Sequence, residues 1–185
     1  ETPLPTNATG EYGLTDTTVT YYYVRKAAGD VTVHHYEENS TTELATTVVQ
    51  PGANKLGMAY TTNEETINNY ELVAQPANKN GTFTVAAQTV DYYYRRKNAG
   101  NITVKYLETG TNTQLHADKI LDGTKKLGLP YSESAETIAN FDLDTTNLPT
   151  NDNGVYTTAP ITITYYYKRK DAGNVVAKYL EQGTN

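Results

Sequence analysis

The 185 residues contain no cysteine and no tryptophan, one methionine and two phenylalanines. Lack of cysteine removes disulfide staples, thiolate metal sites and thiol nucleophiles together, so stability must come from packing. No run of about 18 apolar residues occurs, so no segment is expected to insert in a membrane. The first residues lack the basic start and apolar core of a leader, so Glu1 reads as a cut point inside a longer chain. Positive charge is also scarce: 15 Lys and Arg face 21 Asp and Glu, a net charge of −6. That is too small a positive footprint for general nucleic-acid binding. Tyrosine is abundant instead, with 17 residues; its ring favours strands and its hydroxyl needs a partner when buried.

The tyrosines mark a repeat. Triplets at Tyr21 to Tyr23, Tyr92 to Tyr94 and Tyr165 to Tyr167 are spaced by 71 and 73 residues, and Gly29, Gly100 and Gly173 keep the same spacings. Gly10, Gly81 and Gly154 each precede a triplet by 11 residues. A period this regular is a repeat array. The expected organisation is the C-terminal part of one repeat at 1–28, complete repeats at 29–99 and 100–172, and the N-terminal part of another at 173–185. The stretch GNVVAKYLEQGTN at 173–185 matches GNITVKYLETGTN at 100–112 in nine of thirteen positions, so the parent protein should hold at least four units.

Within a unit almost everything reads as strand. Ile102, Val104 and Tyr106 alternate with Thr103 and Lys105, and Leu115 to Leu121 forms a second extended stretch. A turn with a left-handed residue is expected at Asp122 and Gly123. Ser134 to Asn140 (SAETIAN) is the one candidate helical turn, with Ser134 as N-cap. Strand parity puts Val19, Tyr21 and Tyr23, Val90, Tyr92 and Tyr94, and Ile163, Tyr165 and Tyr167 in the core. Tyr22, Tyr93 and Tyr166 then face the opposite, more polar side.

The head G-x-V-T-V-x-Y, the central L-G-x-x-Y, the block E-T-I-x-N-[YF]-x-L and the closing T-[IV]-x-Y-Y-Y-[KR] together resemble the MucBP (mucin-binding protein) repeat of Gram-positive cell-surface adhesins. The resemblance implies a mainly β (α+β) fold of tandem ubiquitin-like β-grasp repeats, the first strand beside the last, in a monomeric elongated rod. It further implies mucin or other host glycoproteins as partners, with immunoglobulin binding known for related repeats, and an extracellular, cell-wall-anchored location. Leu4-Pro5-Thr6-Asn7 and Leu148-Pro149-Thr150-Asn151 lack the glycine of a wall-sorting motif and read as loop, so the anchor lies outside this stretch.

The candidate glycan-binding residues are Tyr22, Tyr93 and Tyr166, whose phenols can stack on a sugar, with Arg25, Arg95, Arg96, Lys168 and Arg169, which can receive acidic sugars. The competing reading makes these rings backbone shields and these cations partners of nearby acids. His34 and His35 are adjacent on a strand, so they face opposite sides and cannot readily share one metal ion. Asp142, Asp144, Asp152 and the oxygen-rich loop at 151–154 could bind Ca²⁺, but the EF-hand order is absent and a hairpin-type turn explains Asn-Asp-Asn-Gly. No enzyme activity, metal or cofactor is expected. The function that fits is multivalent weak adhesion to mucin glycans; the alternative is a stalk that projects a distal adhesive domain from the cell wall.

Overall fold

A computed structural model describes residues 3–183. The chain divides between Arg95 and Arg96 into two compact units. In the first, β1 (Val31–Glu37), β2 (Val48–Gln50), β4 (Tyr70–Ala74) and β6 (Gln88–Arg96) form a sheet of order β2-β1-β6-β4, while β3 (Ala59–Thr61) and β5 (Asn80–Thr82) form a separate ribbon. The second repeats this plan with β8 (Gln114–Leu121), β7 (Ile102–Glu108), β12 (Ile161–Arg169) and β10 (Phe141–Leu143) as the sheet, and β9 (Pro130–Ser132) with β11 (Asn153–Val155) as the ribbon.

The first and last strands of each unit pair in parallel over seven residues, Val31 opposite Gln88 through Glu37 opposite Tyr94, and Ile102 opposite Ile161 through Glu108 opposite Tyr167. Parallel neighbours need a long crossover, and the rest of the unit supplies it. This is the β-grasp arrangement, and the mainly β expectation holds.

Period-two alternation fills the cores. Val31, Val33, Val90, Tyr92 and Tyr94 are buried in one unit, and Ile102, Val104, Tyr106, Ile163, Tyr165 and Tyr167 in the other. Each fully buried aliphatic contributes about 1.5–3 kcal/mol relative to exposure. The same parity fails for the first triplet: Val19 is 39%, Tyr21 49% and Tyr23 88% exposed. Residues 16–30 form no strand, and no head strand among the described residues stands beside them to cover those rings. Val175, Val176, Tyr179 and Leu180, in the following head segment, are likewise exposed.

The helical turn expected over Ser134 to Asn140 does not form; residues 133–138 adopt no regular secondary structure and a turn follows at 139–140. A helix this short lacks the length to repay nucleation, and the tyrosines recruit its backbone instead. The Tyr167 hydroxyl donates to the Glu136 carbonyl at 2.8 Å, and in the first unit Tyr94 accepts the Glu65 N–H at 2.9 Å. Ile138 and Ile67 still pack on their cores, so the segment closes the sheet without being helical.

The left-handed residues after β8 are Lys125 (φ 55°) and Gly128 (φ 79°), not Asp122 or Gly123. Gly123 is required for close approach: a Cβ there would lie 2.5 Å from the Ala99 carbonyl oxygen. The Ala99 N–H donates to the Gly123 carbonyl at 2.8 Å, and the Gly123 N–H donates to Asn101 Oδ1 at 3.0 Å. Gly52 repeats this contact with Ala28 and Asp30.

Candidate functional site

The core faces of β1 and β6 leave their other faces outward. Alternation turns out Thr32, His34 and Tyr36 from β1 and Thr89, Asp91, Tyr93 and Arg95 from β6. Parallel register sets His34 beside Asp91 and Tyr36 beside Tyr93. The His34 and Tyr36 rings stack at 5.2 Å and 14°, and Tyr36 meets Tyr93 at 6.0 Å and 34°. An aromatic row therefore crosses the outer face of the first unit.

Polar groups fix the row. His34 Nδ1 lies 2.8 Å from Glu43 Oε1, and the Thr47 hydroxyl donates to the same oxygen at 2.7 Å. These bonds, Thr47's first, hold the Glu43 carboxyl below the ordinary range. Burial and the nearby carboxylates of Glu43 and Asp91 raise the Tyr36 phenol, which keeps it a neutral donor. Arg95 Nε donates to Glu71 Oε1 at 2.7 Å, and that bond raises the Arg95 pKa further.

Beside the row lies a shallow groove of about 780 Å³ lined by Glu38, Asn39, Ser40, Thr41, Val73 and Tyr93. Tyr93 is 42% and Val73 41% exposed. The rim is a locked turn: the Ser40 N–H donates to the Glu37 carbonyl at 3.1 Å, the Thr42 N–H to Ser40 Oγ at 2.9 Å, and Asn39 adopts φ 60°. Glu38 N–H donates to the Tyr94 carbonyl at 2.7 Å, tying the rim to β6.

The second unit builds the same place differently. Tyr166 lies half-buried opposite Leu107, and Thr164 opposite Lys105. Where the first unit has Val73, this one has Asp144, which is buried. Its carboxylate meets Lys168 Nζ at 2.8 Å and accepts from Thr146 Oγ1 at 2.7 Å and Thr109 Oγ1 at 3.0 Å. The Lys168 bond, then those of the threonines, hold this acid far below the ordinary carboxylate range.

The eight sequence-derived candidates are not brought together in one place. Tyr93 and Arg95 share the first unit's outer face, and Tyr166 and Lys168 share the second's. Tyr22 is 78% exposed and lies outside any strand. Arg25 Nη1 donates to the Leu56 carbonyl at 2.9 Å, and Arg96 Nη1 makes the equivalent bond to Leu127 at 3.0 Å. Arg169 pairs with Glu108 at 3.3 Å and lies over the Phe141 ring at 4.8 Å. Tyr36 and the rim residues escaped the sequence reading, and His34 was weighed there only as a metal ligand, although the parity of Tyr36 and Tyr93 follows once the first and last strands are set side by side.

The two histidines do face opposite ways. His35 is buried, stacked on Tyr92 at 5.2 Å, with Nδ1 3.0 Å from the Tyr94 hydroxyl. Burial holds its imidazole below the ordinary value, with Glu65 opposing. Asp142 pairs with Lys170 at 3.4 Å. Among the described residues no group of three or more His, Cys, Asp or Glu side chains is placed to hold a metal ion, and no helix is long and apolar enough to cross a membrane.

The family model for the MucBP domain matches residues 1–24, 30–95 and 101–168. The chain is 35% identical over 175 residues to Internalin J of Listeria monocytogenes serovar 1/2a, covering 89% of this chain and 19% of that protein. To Internalin J of serotype 4b it is 34% identical over 178 residues, covering 94% of this chain and 18% of that one. The chain thus spans about a fifth of these relatives' length. Among solved structures, domains 3-4 of the streptococcal high identity repeats in tandem from a cell surface protein match at TM-score 0.39 and 11% identity, covering 78% of this chain and 99% of that one. Mub-RV matches at 0.31 and 12%, covering 77% and 100%. These two structural likenesses are too slight to carry an argument.

Proposed function

From the premise that this chain belongs to the MucBP domain family, we propose that it is an extracellular repeat module of a Gram-positive surface adhesin that holds mucin glycans through several weak contacts. The repeats are residues 29–99 and 100–172, and copies of the unit along the parent protein supply the several contacts. The observation that carries this reading is the row of half-buried His34 and Tyr36 beside the exposed Tyr93 on one outer sheet face, because accessible aromatic rings can stack on the apolar faces of sugars. Tyr166 occupies the corresponding position in the second unit. Repetition then raises avidity without any tight single contact, by a factor of about 10²–10⁴ where two sites engage together.

The test is retention of the full chain on immobilised mucin. Changing both Tyr93 and Tyr166 to Ala is expected to lower retention at least about tenfold, which corresponds to 1.4 kcal/mol, while circular dichroism stays that of the parent. Retention no better than that of an unrelated acidic protein would rule the reading out.

A specific observation favours a second reading, the stalk. Arg95, Lys168 and Arg169 are paired with acids of their own unit, and Arg25 and Arg96 with carbonyls. Cations so engaged contribute to holding a module together. Unchanged mucin retention in the double tyrosine variant would favour this spacer role.

A further inference from the structure

We infer that the two complete repeats are not equivalent as binding units: the groove floored by Tyr93 and Val73 receives an uncharged sugar ring, and its counterpart in the second unit is plugged by Asp144. This rests on the glycan-binding reading and adds to it the sugar class and the unit that takes it.

The floor of the groove presents the Tyr93 ring beside an exposed Val73. These two surfaces suit the apolar face of a hexose. The rim supplies the amide of Asn39 and the hydroxyl of Thr41, groups that exchange hydrogen bonds with sugar hydroxyls as both donors and acceptors, while the Ser40 hydroxyl is engaged by Thr42 within the turn. The turn that carries them is fixed by its own backbone bonds, so little ordering cost accompanies binding.

Charge selects against acidic sugars. Glu38 lies at the rim, with Glu71 and Asp91 on the same outer face of the sheet, and the neighbouring cation Arg95 is held by Glu71 at 2.7 Å. A sialic acid carboxylate or a sulfate would meet net negative charge here, and like charges in close contact are disfavoured. A neutral N-acetyllactosamine unit would not.

In the second unit the groove positions become Thr109, Gly110, Thr111, Asn112, Asp144 and Tyr166. Thr109 is tied down where Glu38 lines the groove in the first unit: its hydroxyl donates to Asp144 Oδ2 at 3.0 Å. Asp144 is only 3% exposed where Val73 is 41% exposed, and Lys168 lies against it at 2.8 Å. The bonds that would meet a sugar are made internally.

The experiment titrates the isotope-labelled full chain with N-acetyllactosamine and separately with 3′-sialyllactose, following backbone amides. Neutral sugar is expected to move Ser40, Val73 and Tyr93 in a saturable way, leaving Thr111, Asp144 and Tyr166 in place. The sialylated probe should bind at least about fivefold more weakly. Val73→Asp, which copies the residue already accommodated in the second unit, should abolish the response while core amides such as Val33 keep their positions. Equal responses in both units, a response in neither, or preference for the sialylated sugar each overturn the inference. Mucin retention without a groove response leaves the adhesive reading standing and removes this one; a groove response without mucin retention does the reverse.

Discussion

At the scale of the residue, tyrosine hydroxyls decide how well each core is satisfied. Tyr92 and Tyr165 occupy equivalent positions, yet Tyr92 shares a 2.8 Å bond with Thr62 Oγ1 while Tyr165 has no hydrogen-bond partner among the described residues. The residue corresponding to Thr62 is Glu133, whose carboxylate goes to Lys119 at 2.7 Å. A satisfied buried hydroxyl and an orphaned one differ in sign when removed. Tyr92→Phe is therefore expected to cost about 1 kcal/mol, and Tyr165→Phe to be neutral or stabilising, measured by urea denaturation. A Tyr165→Phe penalty as large as that of Tyr92→Phe would contradict the assignment. None of this was legible beforehand. Parity named both rings as core, but whether a hydroxyl finds a partner depends on a loop residue some 30 positions away.

At the scale of the element, strands were readable and the connection between them was not. The β1, β6, β7 and β12 segments alternate cleanly, and their buried sets are those that parity names, whereas the SAETIAN segment carries helix-compatible residues that sheet tyrosines bind in a non-helical form. The outer aromatic row required a further fact, the parallel register of first and last strands, which periodicity alone does not contain. Asp144 shows how an element is pinned: the end of β10 is tied to β12 by Lys168 and by the Asp144 N–H donating to the Tyr166 carbonyl at 2.8 Å. Its pKa is depressed in the folded state, so the unfolded chain takes up the proton first as pH falls. The stability it contributes is complete above the ordinary aspartate pKa of about 3.9 and is lost below it. Asp144→Asn is expected to be less stable than the parent at pH 6 and to show a smaller further loss between pH 4 and pH 2. Parallel acid limbs for the two proteins would count against this latch.

At the scale of the whole molecule, the repeat period and the family features were present in the residues, while the inequality of the units was not. Val73 and Asp144 sit at matching places, but only packing reveals one as an exposed floor and the other as a filled site. The parallel pairing of first and last strands has one more consequence, a mechanical one. Because β1 enters and β6 leaves at opposite ends of the pair, tension through the chain drags the two strands lengthwise past each other and loads all their ladder bonds together. Pulling a unit by its chain ends is expected to demand more force than pulling it through handles placed on the antiparallel β1 and β2, whose bonds would part in succession. Single-molecule force spectroscopy compares the two, and equal rupture forces would refute it. A chain gripping a moving surface would then hold fast along the direction in which it is tugged.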